Sequence, residues 1–344
     1  MPTMLDIARE CGISRSVVSL VLNGRDKELG IAASTRDQIM QVAGRIGYCR
    51  NEMAASIGKK HSQVLAFVTA DMGSVEYTGR IQNGVLDAAS ERGYTVTVHR
   101  LKKNTDAEII RKILGWRAAG VIFHVAELSA IQEITASLDK NSIPWGTVNL
   151  SNPGGIGVTT DDRTGIENAV RLLSEHGHRK IAYLMIRGSS PTEYKVNRET
   201  GYRDGMKKYL AKQKSQVFRL DKPERLDDME HLTVHLLPKL RQSADAVICE
   251  SDQLAAALGR AVQMNGGSIP GTFSLVGFGN SIISENFNPP LSTISQDFEE
   301  MGSRTVNWLA DVIEKKAAAD RECFIPTAFI QRGSTEKRIT GESC

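Results

Sequence analysis

From Val64 onward the chain alternates short apolar runs with amphipathic stretches, and this alternation restricts the fold more than any other feature. VLAFVT (64–69), TVTVH (95–99), GVIFHV (120–125) and IPWGTVN (143–149) read as strands. Between them the apolar spacing predicts helices over about 80–92, 106–117 and 129–139. A second set follows. Its strands are KIAYLMI (180–186), QVFRL (216–220), DAVICE (245–250), FSLVGF (273–278, then a loop) and STIS (292–295). Helices are expected over 163–176, 194–214, about 228–241, 252–264 and 298–316, and FIPTAFIQ (324–331) returns the chain. Strands that alternate with helices form parallel sheets covered on both faces. Two such sets imply an α/β core of two doubly wound parallel-sheet lobes. Ligands of such sheets bind at the carboxyl ends of the strands, here facing the cleft between lobes.

A chain of 344 residues holds two or three domains. No apolar run approaches the ~18 residues a membrane span needs, and Asp6, Arg9 and Glu10 interrupt any secretory segment. These features place the protein in the cytoplasm and exclude a membrane partner. Five scattered cysteines without a CxxC pair suggest neither a disulfide framework nor a zinc site. His231 and His235 are four apart, yet HLTVH lacks the acidic residue of a zincin and no third ligand is evident, so no metal is expected. Gly154-Gly155-Ile156-Gly157 reads as a loop, because no phosphate-binding helix follows at the right distance. With no local nucleophile–base pair, the sequence implies no enzyme activity and no cofactor.

The residues before this core have a different texture. Met4 to Cys11 reads as a helix with Leu5, Ile7 and Ala8 inward, ended by Gly12, which tolerates positive φ. Ser14 is placed to cap a second helix whose apolar side is Val17, Val18, Val21 and Leu22. Arg15 and Ser16 are left polar and outward. Two short helices, a glycine turn and a polar leading edge make a helix-turn-helix, whose second helix enters the DNA major groove. A third helix over 33–46, with Ile39, Val42, Ala43 and Ile46 inward, completes a small core. Residues 49–61 form a linker too short to hold a helix by itself. Residues 1–60 carry nine Lys/Arg against six Asp/Glu, so the whole net charge of +3 sits here, on the part suited to phosphates.

The pattern Ala8, Gly12-Ile13-Ser14, Val18-Ser19, Leu22-Asn23-Gly24, Thr35-Arg36, Gly47-Tyr48 and Asn51 resembles the LacI/GalR family of bacterial transcriptional repressors. The resemblance continues through Asp161-Asp162, Gly177-His178, Arg198, Gly201-Tyr202, Ser251-Asp252, Val276-Gly277-Phe278, Pro290-Leu291-Ser292-Thr293-Ile294 and Arg332-Gly333-Ser334-Thr335. It implies a helix-turn-helix headpiece (1–48), a hinge helix (49–61) and a periplasmic-binding-protein-like core (62–344). Lobe 1 would hold about 62–161 plus 297–323, and lobe 2 about 162–296 plus 324–344. It further implies a homodimer, or a tetramer, on a near-palindromic operator in double-stranded DNA. A small-molecule effector, a sugar or related metabolite, would bind in the cleft. The other class sharing this core is a solute-binding protein, which would carry a signal peptide and no headpiece.

By the resemblance, Arg15, Ser16, Ser19 and Asn23 contact DNA from the second helix, and Asn51, Ala54 and Ile57 from the hinge, with Ile57 wedging between base steps. Arg15 offers a bidentate donor pair for guanine O6 and N7. Leu20 stands where many members carry an arginine, and Arg50 where proline is frequent. The RDKELG connection (25–30) is about three residues longer than usual for the family, measured against the helix spacing of the motif. Tyr77, Asn149, Tyr194, Arg198, Ser251, Asp252, Asn280, Gln296 and Phe298 are the implied effector-binding residues, with Arg198 suited to a carboxylate, phosphate or vicinal hydroxyls. Gly279 stands where sugar-binding members have Asp, and Asn280 is the candidate substitute.

Overall fold

The computed structural model describes residues 2–27, 29–48, 62–70, 76–187, 192–221, 233–318 and 321–337. The chain forms two compact units, Met1–Ser62 and Gln63–Cys344. The expected hinge helix (49–61), with Asn51, Ala54 and Ile57, lies outside the described residues, as does His231.

Among the described residues the first unit holds three helices, α1 (Met4–Cys11), α2 (Arg15–Leu22) and α3 (Ala33–Ile46). A capping box opens α1, since the Thr3 side chain accepts from the Asp6 N–H while Asp6 accepts from the Thr3 N–H. Gly12 ends it at φ +67°. Ile7, Ala8, Val18, Val21, Ile39, Val42 and Ala43 bury one shared core, with Ile46 packed against it. Leu5, expected inward, is 46% exposed. It sits two residues before Ile7, which puts it on another side of the helix at 3.6 residues per turn.

The core unit holds two six-stranded sheets. In the first, β1 (Val64–Thr69), β2 (Thr95–Arg100), β3 (Gly120–His124), β4 (Trp145–Val148), β5 (Ile156–Thr160) and β11 (Arg321–Ile325) lie parallel in the order β11-β5-β4-β3-β1-β2. Helices α4 (Glu76–Glu91) and α12 (Phe298–Ile313) bring Ile81, Val85, Met301 and Leu309 to one face. Helices α5 (Asp106–Gly115) and α6 (Gln132–Lys140) bring Ile109, Ile113 and Ile134 to the other. Alternate strand residues face opposite sides, so Leu65 and Phe67 join the first cluster and Ala66 and Val68 the second.

The second sheet joins β6 (Ile181–Ile186), β7 (Gln216–Leu220), β8 (Ala246–Cys249), β9 (Ser274–Gly279), β10 (Ser292–Ser295) and β12 (Ala328–Ile330) in the order β12-β10-β9-β8-β6-β7. One face packs on α7 (Asp162–Glu175) and α8 (Glu193–Tyr209). The other packs on α9 (Leu237–Ser243) and α10 (Asp252–Met264). This sheet is not purely parallel, because β12 runs antiparallel to β10.

The chain passes between lobes at Asp161–Asp162, Gln296–Asp297 and Pro326–Thr327. Phe324 and Ile325 pair with Thr159 and Thr160 in the first sheet, two residues beyond the boundary expected from the sequence. The stretch read as a glycine loop is half strand, since Ile156 and Gly157 begin β5 in the middle of the first sheet. Gly157 is tolerated because the chain at Asn152 crosses so close that a Cβ would strike its backbone nitrogen. The loop expected after β9 contains a short helix, α11 (Ile282–Asn286).

Candidate functional site

In the first unit, the side of α2 that turns away from the core is the candidate DNA-reading surface. Ser14 fixes where α2 starts, since its Oγ accepts from the Val17 N–H at 3.3 Å. Val18 and Val21 anchor the helix, which leaves Arg15 and Ser16 exposed on its first turn. Asn23 Nδ2 donates to the Ser19 carbonyl (2.6 Å) and to Ser19 Oγ (3.2 Å), so these two side chains are held as a pair. The long connection after α2 folds back on itself. The Arg25 N–H donates to the Leu20 carbonyl (3.0 Å), the Ile31 N–H to the Asp26 carbonyl (2.9 Å), and the buried Asp26 carboxylate faces Arg36 at 3.9 Å.

In the core, a cavity of about 170 Å³ opens between the lobes at the carboxyl ends of the strands. Tyr77, Asn149, Tyr194, Arg198, Ser251, Gln296 and Phe298 all line it, so seven of the nine implied effector residues come together. They come from just beyond strand ends of both sheets, from the first turns of α4 and α12, and from the first two turns of α8. Asn149 follows β4 at φ +60°. Ser251 caps α10 by accepting from the Leu254 N–H at 3.3 Å.

Asp252 and Asn280 are not among the walls. Asp252 is 1% exposed, and its carboxylate accepts from Thr293 Oγ1 (2.6 Å) and from the Ser281 N–H and Oγ (2.7 and 2.9 Å). It ties β9, β10 and α10 together instead of facing a ligand. Asn280 turns its side-chain oxygen to Arg332 Nη2 at 2.7 Å, so it does not supply the acceptor that Gly279 lacks.

Arg198 is 8% exposed, and each of its guanidinium nitrogens has a protein partner. Its Nε donates to Asp162 Oδ2 (2.7 Å), Nη1 to the Glu250 carbonyl (2.6 Å) and Nη2 to Gln296 Oε1 (3.3 Å). The guanidinium lies 3.7 Å from the Phe278 ring centroid and 5.0 Å from that of Tyr194. Gln296 in turn donates to Thr160 Oγ1 (2.6 Å) and Asp162 Oδ1 (3.2 Å), while Thr327 Oγ1 donates to the Asp161 carbonyl (3.2 Å). This network laces all three crossings between the lobes.

Sequence reasoning did not single out Arg80, Glu76 or Glu250 as wall residues. Arg80 follows Tyr77 at helical spacing, and α4 begins four residues before the expected start. Its guanidinium pairs with Glu299 (2.8 Å) and reaches the Asn280 carbonyl across the cleft (3.3 Å). Glu76 Oε2 accepts from the Ile282 N–H (2.8 Å), and Glu193 accepts from the Ser151 N–H (3.1 Å) and hydroxyl, so both rims are bridged. Glu250 is 5% exposed, and burial pushes its carboxyl up, opposed by Lys195 at 3.8 Å. A second cavity of about 120 Å³ adjoins the first, sharing Tyr77, Asn149 and Tyr194 and reaching His124 and Asp162.

The profile of bacterial regulatory proteins of the lacI family matches residues 3–51, and that of a periplasmic binding protein-like domain matches residues 170–335. The HTH-type transcriptional regulator DegA of Bacillus subtilis is 28% identical over 345 residues, covering 97% of this chain and 98% of that protein. Over nearly its whole length the chain is similar to regulators of the LacI family. It is a DNA-binding transcriptional regulator and not an enzyme. Catabolite control protein A of Staphylococcus epidermidis is 25% identical over 354 residues, with 97% and 99% of the two chains covered. Among solved structures, the lac repressor dimer bound to operator and the anti-inducer ONPF gives a TM-score of 0.81 at 20% identity, covering 97% of this chain and 99% of that one. A complex of the transcriptional regulator CelR with cellobiose gives 0.69 at 23% identity, covering 97% and 100%. At these identities the structural likeness speaks for the fold alone. Among the described residues no helix is long and apolar enough to cross a membrane.

Proposed function

We propose that this LacI-family regulator is a repressor that acts in the cytoplasm as a homodimer on a near-palindromic operator. Its effector is an uncharged sugar or sugar derivative, held in the cleft of the core. Arg15, Ser16, Ser19 and Asn23 read or position DNA, and Asn51, Ala54 and Ile57 act from the hinge. The dimer is supported by geometry, since one headpiece spans too few bases for genomic specificity.

The effector's neutrality rests on one observation: the arginines of the cleft wall are matched by carboxylates inside the protein. Arg198 is paired with Asp162, Arg80 with Glu299 and Glu250 with Lys195. A phosphate or carboxylate bound to Arg198 would have to displace buried Asp162 and leave its charge unpaired, which costs several kcal/mol. By contrast, the Asn149 and Gln253 amides line the cavity with no hydrogen bond among the described residues, and amides suit hydroxyls. CelR with bound cellobiose and an Enterococcus faecium LacI-family regulator with bound ribose are relatives holding neutral sugars. The test is a thermal-shift screen of the full chain against ribose, cellobiose and other neutral sugars beside the matching sugar phosphates and acids. A neutral sugar at a hundred times its Kd adds ~2.7 kcal/mol and raises Tm. Stabilisation by the phosphates or acids alone contradicts this reading.

A further inference from the structure

The outward face of α2 carries a single apolar side chain among polar ones. Arg15, Ser16, Ser19 and Asn23 are hydrophilic, whereas Leu20, one turn on from Ser16 and next to Ser19, is a half-buried leucine. The core of the first unit is complete without it. Val18 and Val21 enter that core, Val17 and Leu22 pack at its margin, and Leu20 belongs to neither group. Its backbone carbonyl accepts from the Arg25 N–H, a bond any residue would make. Among the described residues neither the shared helical core nor a cap therefore calls for leucine at this position.

Its place on the helix does. The second helix of a helix-turn-helix lies in the major groove with its N-terminal residues on base edges. A side chain one turn further along the same face meets the neighbouring base step. The major groove offers one apolar feature, the C5-methyl of thymine, and every other group there is a donor or an acceptor. Leucine can satisfy neither. Beneath it, a guanine O6 or cytosine N4 would be taken out of water without a partner, whereas a thymine methyl would gain contact. We propose that Leu20 is a specificity-determining residue that reads a thymine methyl, so each operator half-site carries a T·A pair beside those met by Arg15 and Ser16. This rests on α2 being the DNA-reading helix, and it adds the base that one residue selects.

The experiment uses full-length protein and double-stranded DNA. A site is first selected from a random pool, and each thymine in it is then replaced in turn by deoxyuridine, which removes the methyl and leaves pairing and O4 unchanged. At one thymine per half-site the replacement weakens binding about fourfold, and about fifteenfold when both half-sites are changed. L20A, which keeps a good helix former at this position, abolishes that penalty while the site is still bound. L20R moves the preferred base at that position from thymine to guanine. Uracil binding as well as thymine at every position overturns the proposal, as does a methyl penalty that persists in L20A. Failure to select any site overturns the reading of α2 itself, and is distinguishable because no DNA then competes better than bulk.

Discussion

Arg198 and Asp162 are both nearly inaccessible, and their pairing joins a helix of one lobe to a crossing between lobes. Removing either partner leaves a buried charge uncompensated, which costs about 3–5 kcal/mol. Asp162→Ala should therefore lower the stability of the core by that order in urea unfolding, and a loss below 1 kcal/mol would contradict the buried pair. Arg198→Ala should behave likewise, because Asp162 is then the buried charge without its partner. Glu250 adds a pH dependence. Burial holds its folded carboxyl above the unfolded value, opposed by Lys195 and Arg198. The native state then keeps a proton that the unfolded chain releases, and stability falls as pH rises from the unfolded value through the raised one. Relative to the parent, Glu250→Gln should gain stability between pH 3 and pH 7, because it lacks this titration. A stability difference that is the same at both pH values would rule this out. Most of the cleft was legible at this scale through the family resemblance, whose implied ligand positions fall on the strand ends and helix starts that line the cavity. Asp252 and Asn280 were misplaced because sequence order locates a residue on a strand end without saying which way its side chain turns. Glu250 was missed for the converse reason, since a carboxylate at a strand end looks like a solvated loop charge until its burial is seen.

Helix packing inside lobe 1 depends on two glycines. A Cβ on Gly84 of α4 would run into the Glu299 carbonyl of α12, and one on Gly302 of α12 into the Ile81 carbonyl of α4. Each obstacle is backbone and cannot rotate aside. Gly302→Ala should cost at least the ~1–3 kcal/mol typical of overpacking, read as a lowered urea midpoint, even though alanine favours helix. A stabilised variant would show that the two helices have room to separate. In the first unit, Ser14→Ala removes the cap of α2 and should cost about 1 kcal/mol. An unchanged Tm would mean that the cap hydrogen bond is idle. Period and punctuation made the long elements readable: α1 and α3 end at glycines, and β1, β3 and β9 are continuous apolar runs. Elements failed where glycine weakened the signal. The first turn of α4 contains Gly79, and β5 contains Gly157. The antiparallel course of β12 was not readable either, because strand direction is a property of pairing and not of the segment.

At the scale of the whole molecule, a DNA-reading unit and a two-lobed ligand unit share one chain, and regulation requires that they be coupled. A ligand alters operator affinity only if it binds the DNA-competent and incompetent states unequally. The network from Arg198 through Asp162 and Gln296, with the Thr327–Asp161 bond beside it, touches all three crossings between the lobes, so it is placed to feel how the cleft closes. The sequence made the two-part plan legible through its change of texture at Val64 and the confinement of net charge to residues 1–60. It carried less about coupling, which lives in distances between crossings that are far apart in the chain. The most direct test is a titration of the full chain onto its selected palindrome, with and without a neutral sugar that raises Tm. The account predicts a dimer on the site, an affinity that falls steeply with salt, and a shift of at least fivefold on adding the sugar. A sugar that stabilises the protein while leaving operator affinity unchanged would contradict it.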